Sequence, residues 1–194
     1  MITTNSKCSR HYNQDPMGHK YTREHILGGA VELALAEGVG SLTFGRLAKR
    51  MGTSDRVVVY YFPSKTTLVS EVLVEIGNQL QAVLAKAFTE PAAGHRQLAK
   101  AAYGVLARDD TDAIFAVYFE SCGLAAAGAQ PFQDLAAALF EGWVGWLSGF
   151  FRGNPKQRRA EAEATLALID GVLLMRQLAG AQAADRAAKA LGMM

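Results

Sequence analysis

An all-α fold is predicted for this chain: a three-helix head joined by a long helix to a larger helical body, about nine helices in all. Three observations predict it. Apolar residues recur at i, i+3, i+4 and i+7 in one segment after another. Only five of 194 residues are proline, so long helices go uninterrupted. Alanine and leucine dominate after residue 70, and glycine or proline falls between the periodic runs.

The predicted domains are an extension over residues 1–20, a helix-turn-helix domain over 21–68 and a helical body over 69–194. Cys8 and Cys122 are too few for a disulfide framework, nothing at the start resembles a signal peptide, and a reducing cytoplasm is expected. Charged residues interrupt every apolar run before the roughly 18 residues of a membrane span, so no membrane partner is expected. The formal net charge of +2 hides an asymmetry. Residues 1–65 carry nine Lys/Arg against five Asp/Glu, and residues 66–194 carry eleven against thirteen. A basic head on a slightly acidic body is the division expected of a protein that neutralises phosphates at one end.

Residues 1–20 are polar and aperiodic, and disorder is expected there. Lys7, Arg10 and Lys20 have the composition of an arm that touches a DNA backbone or minor groove; the favoured alternatives are an extension with no role or an upstream start codon with Met17 as the true one. Cys8 has no evident task there. Thr22 is placed to cap a first helix ending at Gly38, with Ile26, Ala30, Leu33 and Ala34 facing inward. Thr43 is placed to cap a second helix with Phe44, Leu47, Ala48 and Met51 on one face. Gly52 then supplies a left-handed residue and Ser54 the next cap, a turn short enough to force a sharp change of direction. The third helix, Asp55 to Phe62, stops at Pro63.

A helix, a glycine turn and a second helix form the pattern of a DNA-reading helix-turn-helix. With the tail Tyr60-Tyr61-Phe62-Pro63-Ser64-Lys65 and Leu68 behind it, residues 22–70 resemble the N-terminal domain of the TetR family of repressors. That family often has tyrosine three residues before the phenylalanine; this chain has Val59 there, so no operator sequence carries over. Val58 and Phe62 are expected to point inward, leaving Asp55, Arg56, Val57, Val59 and Tyr60 outward with Ser54 at the cap. Arg56 suits guanine O6 and N7, the valine methyls suit thymine methyls, and Tyr60 suits a base edge or sugar. Asp55 either accepts from cytosine N4 or complements the helix dipole, the reading favoured here. The resemblance implies phosphate contacts at Tyr61 and Lys65, and Thr43 at a helix start looks like another.

From Ser64 a long helix is predicted to about Phe88, with Leu68, Val72, Leu73, Ile76, Leu80, Val83 and Leu84 on its apolar stripe. Five more should follow. One spans His95 to Arg108. The next is opened by Asp109, Asp110 and Asp112, runs to about Ala127 and is apolar nearly all round, so it should be central and buried. A third runs from Pro131 to about Phe151 with two apolar stripes and Gly142, Gly145 and Gly149. A fourth has Asn154, Pro155 and Gln157 as cap, first-turn proline and capping-box amide and ends at Ala179; a short one starts near Gln182.

The resemblance implies a homodimer built on the last long helices, a palindromic double-stranded DNA operator, and a cavity for a small apolar or aromatic effector. Tyr103, Phe115, Tyr118, Phe119, Trp143, Trp146 and Met175 are the candidate ligand-binding side chains, although residues at such helical spacing are more often plain core. Asp170 and Glu120 are isolated acids on apolar helices, suited to a ligand amine or hydroxyl. Asp170 has Arg176 or a dimer seam as alternative partners. Neither nucleophile elbow, phosphate-binding glycine loop nor metal-ligand spacing occurs, so no enzyme, cofactor or metal is expected. Cys122 among aromatics reads as a buried, inert thiol. The rival readings are a helical small-molecule carrier or enzyme with a relic head, and a DNA binder without an effector.

Overall fold

The structure, a computed structural model, describes residues 21–194; the expectations for residues 1–20, including Lys7, Cys8, Arg10 and Lys20, lie outside the described residues. Nine α-helices occur among the described residues, with no strand. None of them is long and apolar enough to cross a membrane.

Helix α1, Arg23–Glu37, begins where Thr22 Oγ1 accepts from the His25 amide and ends at Gly38. Ile26, Ala30, Leu33 and Ala34 are its buried face, as the periodicity requires. A 3-10 turn over Val39–Ser41, which the periodicity does not signal, leads to α2, Phe44–Met51, capped by Thr43. Gly52 closes α2 at φ 63°, ψ 36°, a left-handed conformation that strains a residue with a Cβ. Helix α3, Asp55–Tyr61, follows two residues later with Ser54 at its cap position, although no Ser54 hydroxyl bond to the helix forms.

Helix α4, Lys65–Ala87, is capped by Ser64 Oγ accepting from the Thr67 amide. Its 23 residues extend about 34 Å at 1.5 Å each. Leu68, Val72, Ile76, Leu80 and Leu84 are buried; Val83, expected on that stripe, is exposed, and Val69 is buried beside Leu68 and Val72. Helices α5 (His95–Leu106), α6 (Asp112–Ala126), α7 (Phe132–Ser148), α8 (Pro155–Ala179) and α9 (Ala181–Ala190) build the body. The capping box at the start of α8 is complete: Asn154 Oδ1 accepts from the Gln157 amide and Gln157 Oε1 from the Asn154 amide. Helix α7 stops short of the predicted Phe151, because residues 149–151 turn out of the helix and the Phe150 carbonyl accepts from the Ala92 amide at 2.8 Å.

Buried apolar side chains gather in two clusters. One joins α1, α2, α3 and the first half of α4 to Val117 and Phe132 of the body. The other joins the far half of α4 to α5 through α9. Helix α6 differs from the helix buried on all sides that its apolar circumference predicts: only Phe115 and Val117 are fully buried. It packs against α1, the 3-10 turn, α7 and α8, and its inner side borders a cavity at Phe115, Val117, Tyr118, Cys122 and Ala125, whereas the partly buried Ile114, Phe119 and Leu124 do not line it. Phe140 on α7 is likewise exposed.

Glu120 on α6 ties body to head. Its carboxylate accepts from the Val39 amide at 2.7 Å and the Gly40 amide at 2.9 Å, capping the 3-10 turn. It is therefore a structural group and does not line the cavity. Gly38, at φ 83°, lies so close that a Cβ there would stand 2.7 Å from Glu120 Oε2. Glu120→Ala is predicted to cost about 1–2 kcal/mol, the loss of two charge-assisted hydrogen bonds at a part-exposed site. Urea denaturation together with amide exchange at Val39 and Gly40 checks this; unchanged exchange at both amides contradicts it.

Candidate nucleic-acid interface and body cavity

The head presents one face with few internal obligations. Val58 and Phe62 are fully buried, which anchors α3 on α2 and turns its remaining positions outward. Asp55 and Arg56 are exposed, Val59 is 40% and Tyr60 58% exposed, and Ser54, Thr43 and Lys65 are exposed on flanking segments. Val57 is only half exposed and packs on the head cluster. Tyr61 is also half-buried: its hydroxyl donates to the Tyr21 carbonyl at 2.7 Å, while the Tyr21 hydroxyl lies 3.1 Å from the Met51 carbonyl and 3.0 Å from that of Gly52. The proton that Tyr61 would offer a phosphate is thus engaged in fastening the end of α3 to the segment before α1, and the Tyr21 hydroxyl in turn ties that segment to the helix-turn-helix turn.

The basic residues of the head divide into two groups. Arg23 pairs with Glu71, Arg46 with Glu37, and Arg50 lies 3.5 Å from Glu32. Arg23 also lies over the Phe62 ring at 5.0 Å from its centroid, so it serves packing. Lys49, Arg56 and Lys65 have no ion-pair partner among the described residues and are exposed. Unpaired cations beside an exposed helix face suit a polyanion.

The second feature is a cavity of about 320 Å³ between α4, α6, α7 and α8, with Leu106 of α5 at its edge. Leu73, Ile76, Leu80 and Leu84 of α4 form one wall and Leu135, Leu139 and Leu147 of α7 another. Of the candidate ligand residues, Phe115, Tyr118, Trp143 and Asp170 line it. Tyr103, Phe119, Trp146 and Met175 do not. Tyr103 is buried with its hydroxyl on Asp185 Oδ1 at 2.7 Å, which together with burial pushes its pKa up to about 12. Phe119 packs against Phe115 and Tyr118, Trp146 stacks edge-on with Trp143 and Phe150, and Met175 is exposed on α8. The reading from sequence missed the aliphatic wall of α4, and helical spacing marked those residues only as inward-facing. Cys122, expected to be buried, is exposed and lines the cavity, and desolvation by its apolar neighbours still raises its pKa.

Among the described residues Asp170 is paired with neither Arg176 nor another cation. Tyr118 donates to its Oδ2 at 2.8 Å, whereas Arg176 bonds Asp112 and Asp109. Desolvation raises the Asp170 pKa from 3.8 to about 6, the Tyr118 hydrogen bond opposing it only in part, and desolvation raises Tyr118 as well. A folded-state pKa above the unfolded one means the native state holds a proton that the unfolded chain has lost between pH 4 and 6. The ionised group therefore destabilises the fold in full above pH 6, and the penalty lifts as pH falls toward 4. Asp170→Asn, which keeps an acceptor for Tyr118, should stabilise the ligand-free protein by about 1–3 kcal/mol at pH 7.5, with the gain shrinking toward pH 4. Denaturant midpoints across that range check it; a gain independent of pH would refute the assignment.

Residues 26–72 match the family described as bacterial regulatory proteins, tetR family. No curated protein matches the chain significantly. In fold the chain is similar to a transcriptional regulator from Rhodococcus sp. Rha1, at 20% identity over 89% of this chain and 93% of that one, TM-score 0.68. It is also similar to a TetR transcriptional regulator from Legionella pneumophila, at 19% identity over 90% and 97%, TM-score 0.60. The multidrug binding protein EbrR complexed with imidazole aligns at 23% identity over 87% of each chain, TM-score 0.65.

Proposed function

We propose that this TetR-family, DNA-binding transcriptional regulator acts as a non-enzymatic homodimeric repressor, released from a palindromic operator by a small apolar or aromatic effector. Residues 21–68 are the reading head and residues 69–194 the effector-binding and dimerising body. One observation carries the reading. Helix α4 begins at Lys65 beside the exposed face of α3, and between Leu73 and Leu84 the same unbroken helix forms a wall of the cavity. A ligand that favours a different seating of α4 thereby favours a different placement of α3.

In this reading Arg56, Val59 and Tyr60 read base edges, with Ser54, Asp55 and Val57 at the groove's margin. Thr43 and Lys65 meet phosphates, and Tyr61 supports the turn that presents them. The dimer rests on α7 and α8. Leu174, Met175 and Leu178 are exposed on α8, the last at 79%. At Gly142 and Gly145 of α7 a Cβ would meet nothing within 4 Å among the described residues, so the close approach that helical glycines permit is left for a second copy. Twofold symmetry then sets two α3 helices in successive major grooves, about 34–36 Å apart. EbrR with imidazole is a protein of this fold that holds a small ring compound, which supports an effector role for the cavity.

Fluorescence anisotropy on the upstream region of the gene, at several salt concentrations and with stoichiometry, tests the reading. Saturable binding of two chains to one palindromic segment is expected. Weak binding that is equal on every DNA would overturn it.

A further inference from the structure

Asp170 sets the chemistry of the cavity. Apart from it, no lining residue bears a charge at neutral pH: no Lys, Arg, His or Glu is among them. Tyr118 satisfies Oδ2, and Oδ1 receives no hydrogen bond among the described residues. The other polar lining atoms cannot neutralise it. The Ser121 hydroxyl is spent on the Val117 carbonyl at 2.8 Å, the Tyr118 proton is already on Asp170, and the Cys122 thiol is a weak donor. Phe115, Tyr118 and Trp143 supply aromatic rings around the same space, and the face of such a ring attracts positive charge. A carboxylate left half-satisfied in an apolar, aromatic-walled cavity is complemented by a ligand that both donates a hydrogen bond and carries a positive charge.

We infer that the effector is an organic monocation, an apolar or aromatic amine whose ammonium group meets Asp170 Oδ1 while its hydrocarbon part fills the space between α4 and α7. The inference rests on the effector role of the cavity, and the amine class deepens it. A neutral ligand would leave the buried charge uncompensated, and an anionic one would be repelled by it. The volume of about 320 Å³ sits at the small end of ligand sites, which suits a one-ring amine.

Three compounds with one skeleton isolate the charge: 4-phenylbutylamine, 4-phenylbutanol and 4-phenylbutyrate. The chain has two tryptophans, and Trp143 lines the cavity with Trp146 stacked on it, so intrinsic fluorescence reports occupancy. The full-length protein should bind the amine at least about tenfold more tightly than the alcohol, with no measurable binding of the acid. In Asp170→Asn the amine should lose its advantage over the alcohol. The comparison within the unsubstituted protein stands even if that variant folds poorly. Equal binding of amine and alcohol, failure of the amine to bind, or an amine preference that survives Asp170→Asn overturns the inference. Operator release, measured in parallel, separates the two readings. An amine that binds through Asp170 without releasing DNA leaves the ligand class standing and sinks the effector role; an alcohol that binds equally and releases DNA does the reverse.

Discussion

Alanine at both Arg56 and Tyr60 is expected to weaken operator binding by about 10³-fold or more, toward the non-specific level, while leaving non-specific DNA binding nearly intact. A good base contact contributes about 1–3 kcal/mol of discrimination, and the proposed dimer would present each of the two residues twice. Both side chains are exposed and neither belongs to the head cluster, so the substitutions leave Val58 and Phe62 to hold α3 in place. Circular dichroism and thermal melting should be unchanged within error. The salt dependence distinguishes base reading from charge attraction. The double variant should keep a slope of log affinity on log salt close to that of the unsubstituted protein, whereas Lys65→Ala should weaken all sequences alike and flatten the slope by about one phosphate contact per subunit. If the double variant instead binds operator and random DNA with the same proportional loss, α3 does not read bases.

Arg176→Ala is expected to lower the folding stability of the body by about 2–4 kcal/mol, within the range for breaking a buried ion pair but discounted for the exposure of its partners. The guanidinium is 7% exposed and is held as a fork: Nε lies 2.6 Å and Nη2 3.0 Å from the two oxygens of Asp112, and Nη2 lies 2.6 Å from Asp109 Oδ1. Hydrogen bonding to Asp112 is the main reason the guanidinium is held still more firmly in its charged form. Asp109 is fully exposed and adds little, so most of the loss resides in the Asp112 pair that joins the end of α8 to the start of α6. Arg176→Lys should recover part of the loss, because an ammonium keeps the charge without the fork. Urea unfolding of Arg176→Ala, Asp112→Ala and the double variant gives the coupling; a coupling near zero would mean that the arginine contributes only packing.

How far the fold could be read in advance depended on the range of the interactions concerned. Helix starts were legible because their causes are local: Thr22, Thr43, Ser64 and the Asn154–Gln157 box each act within three residues. The inward faces of α1 and α3 followed from period alone. The cavity was half legible. Helical spacing assigns a side chain to a face, but whether that face meets a gap or a neighbour depends on helices far apart in sequence. Phe115 and Trp143 therefore face the cavity, whereas Trp146 and Phe119 fill core beside it. Glu120 was misplaced for the same reason, since its partners Val39 and Gly40 lie 81 and 80 residues away. The apolar circumference of α6 pointed to complete burial, yet part of what it faces is empty space reserved by the surrounding walls.

The Glu120 bonds add a polar attachment of head to body beside the continuous α4 and the apolar packing on Val117 and Phe132, and this changes how such a protein is to be recombined with its relatives. A chimera cut only within α4 would bring in a foreign turn between the first two helices and leave position 120 facing it without matched amides or a glycine at 38. Under the proposed function such a hybrid would keep its sequence preference, its ligand and the α4 link between them, yet lose the second, polar link at the 3-10 turn. Grafts that carry residues 38–40 and position 120 as one unit would transmit the signal across the join.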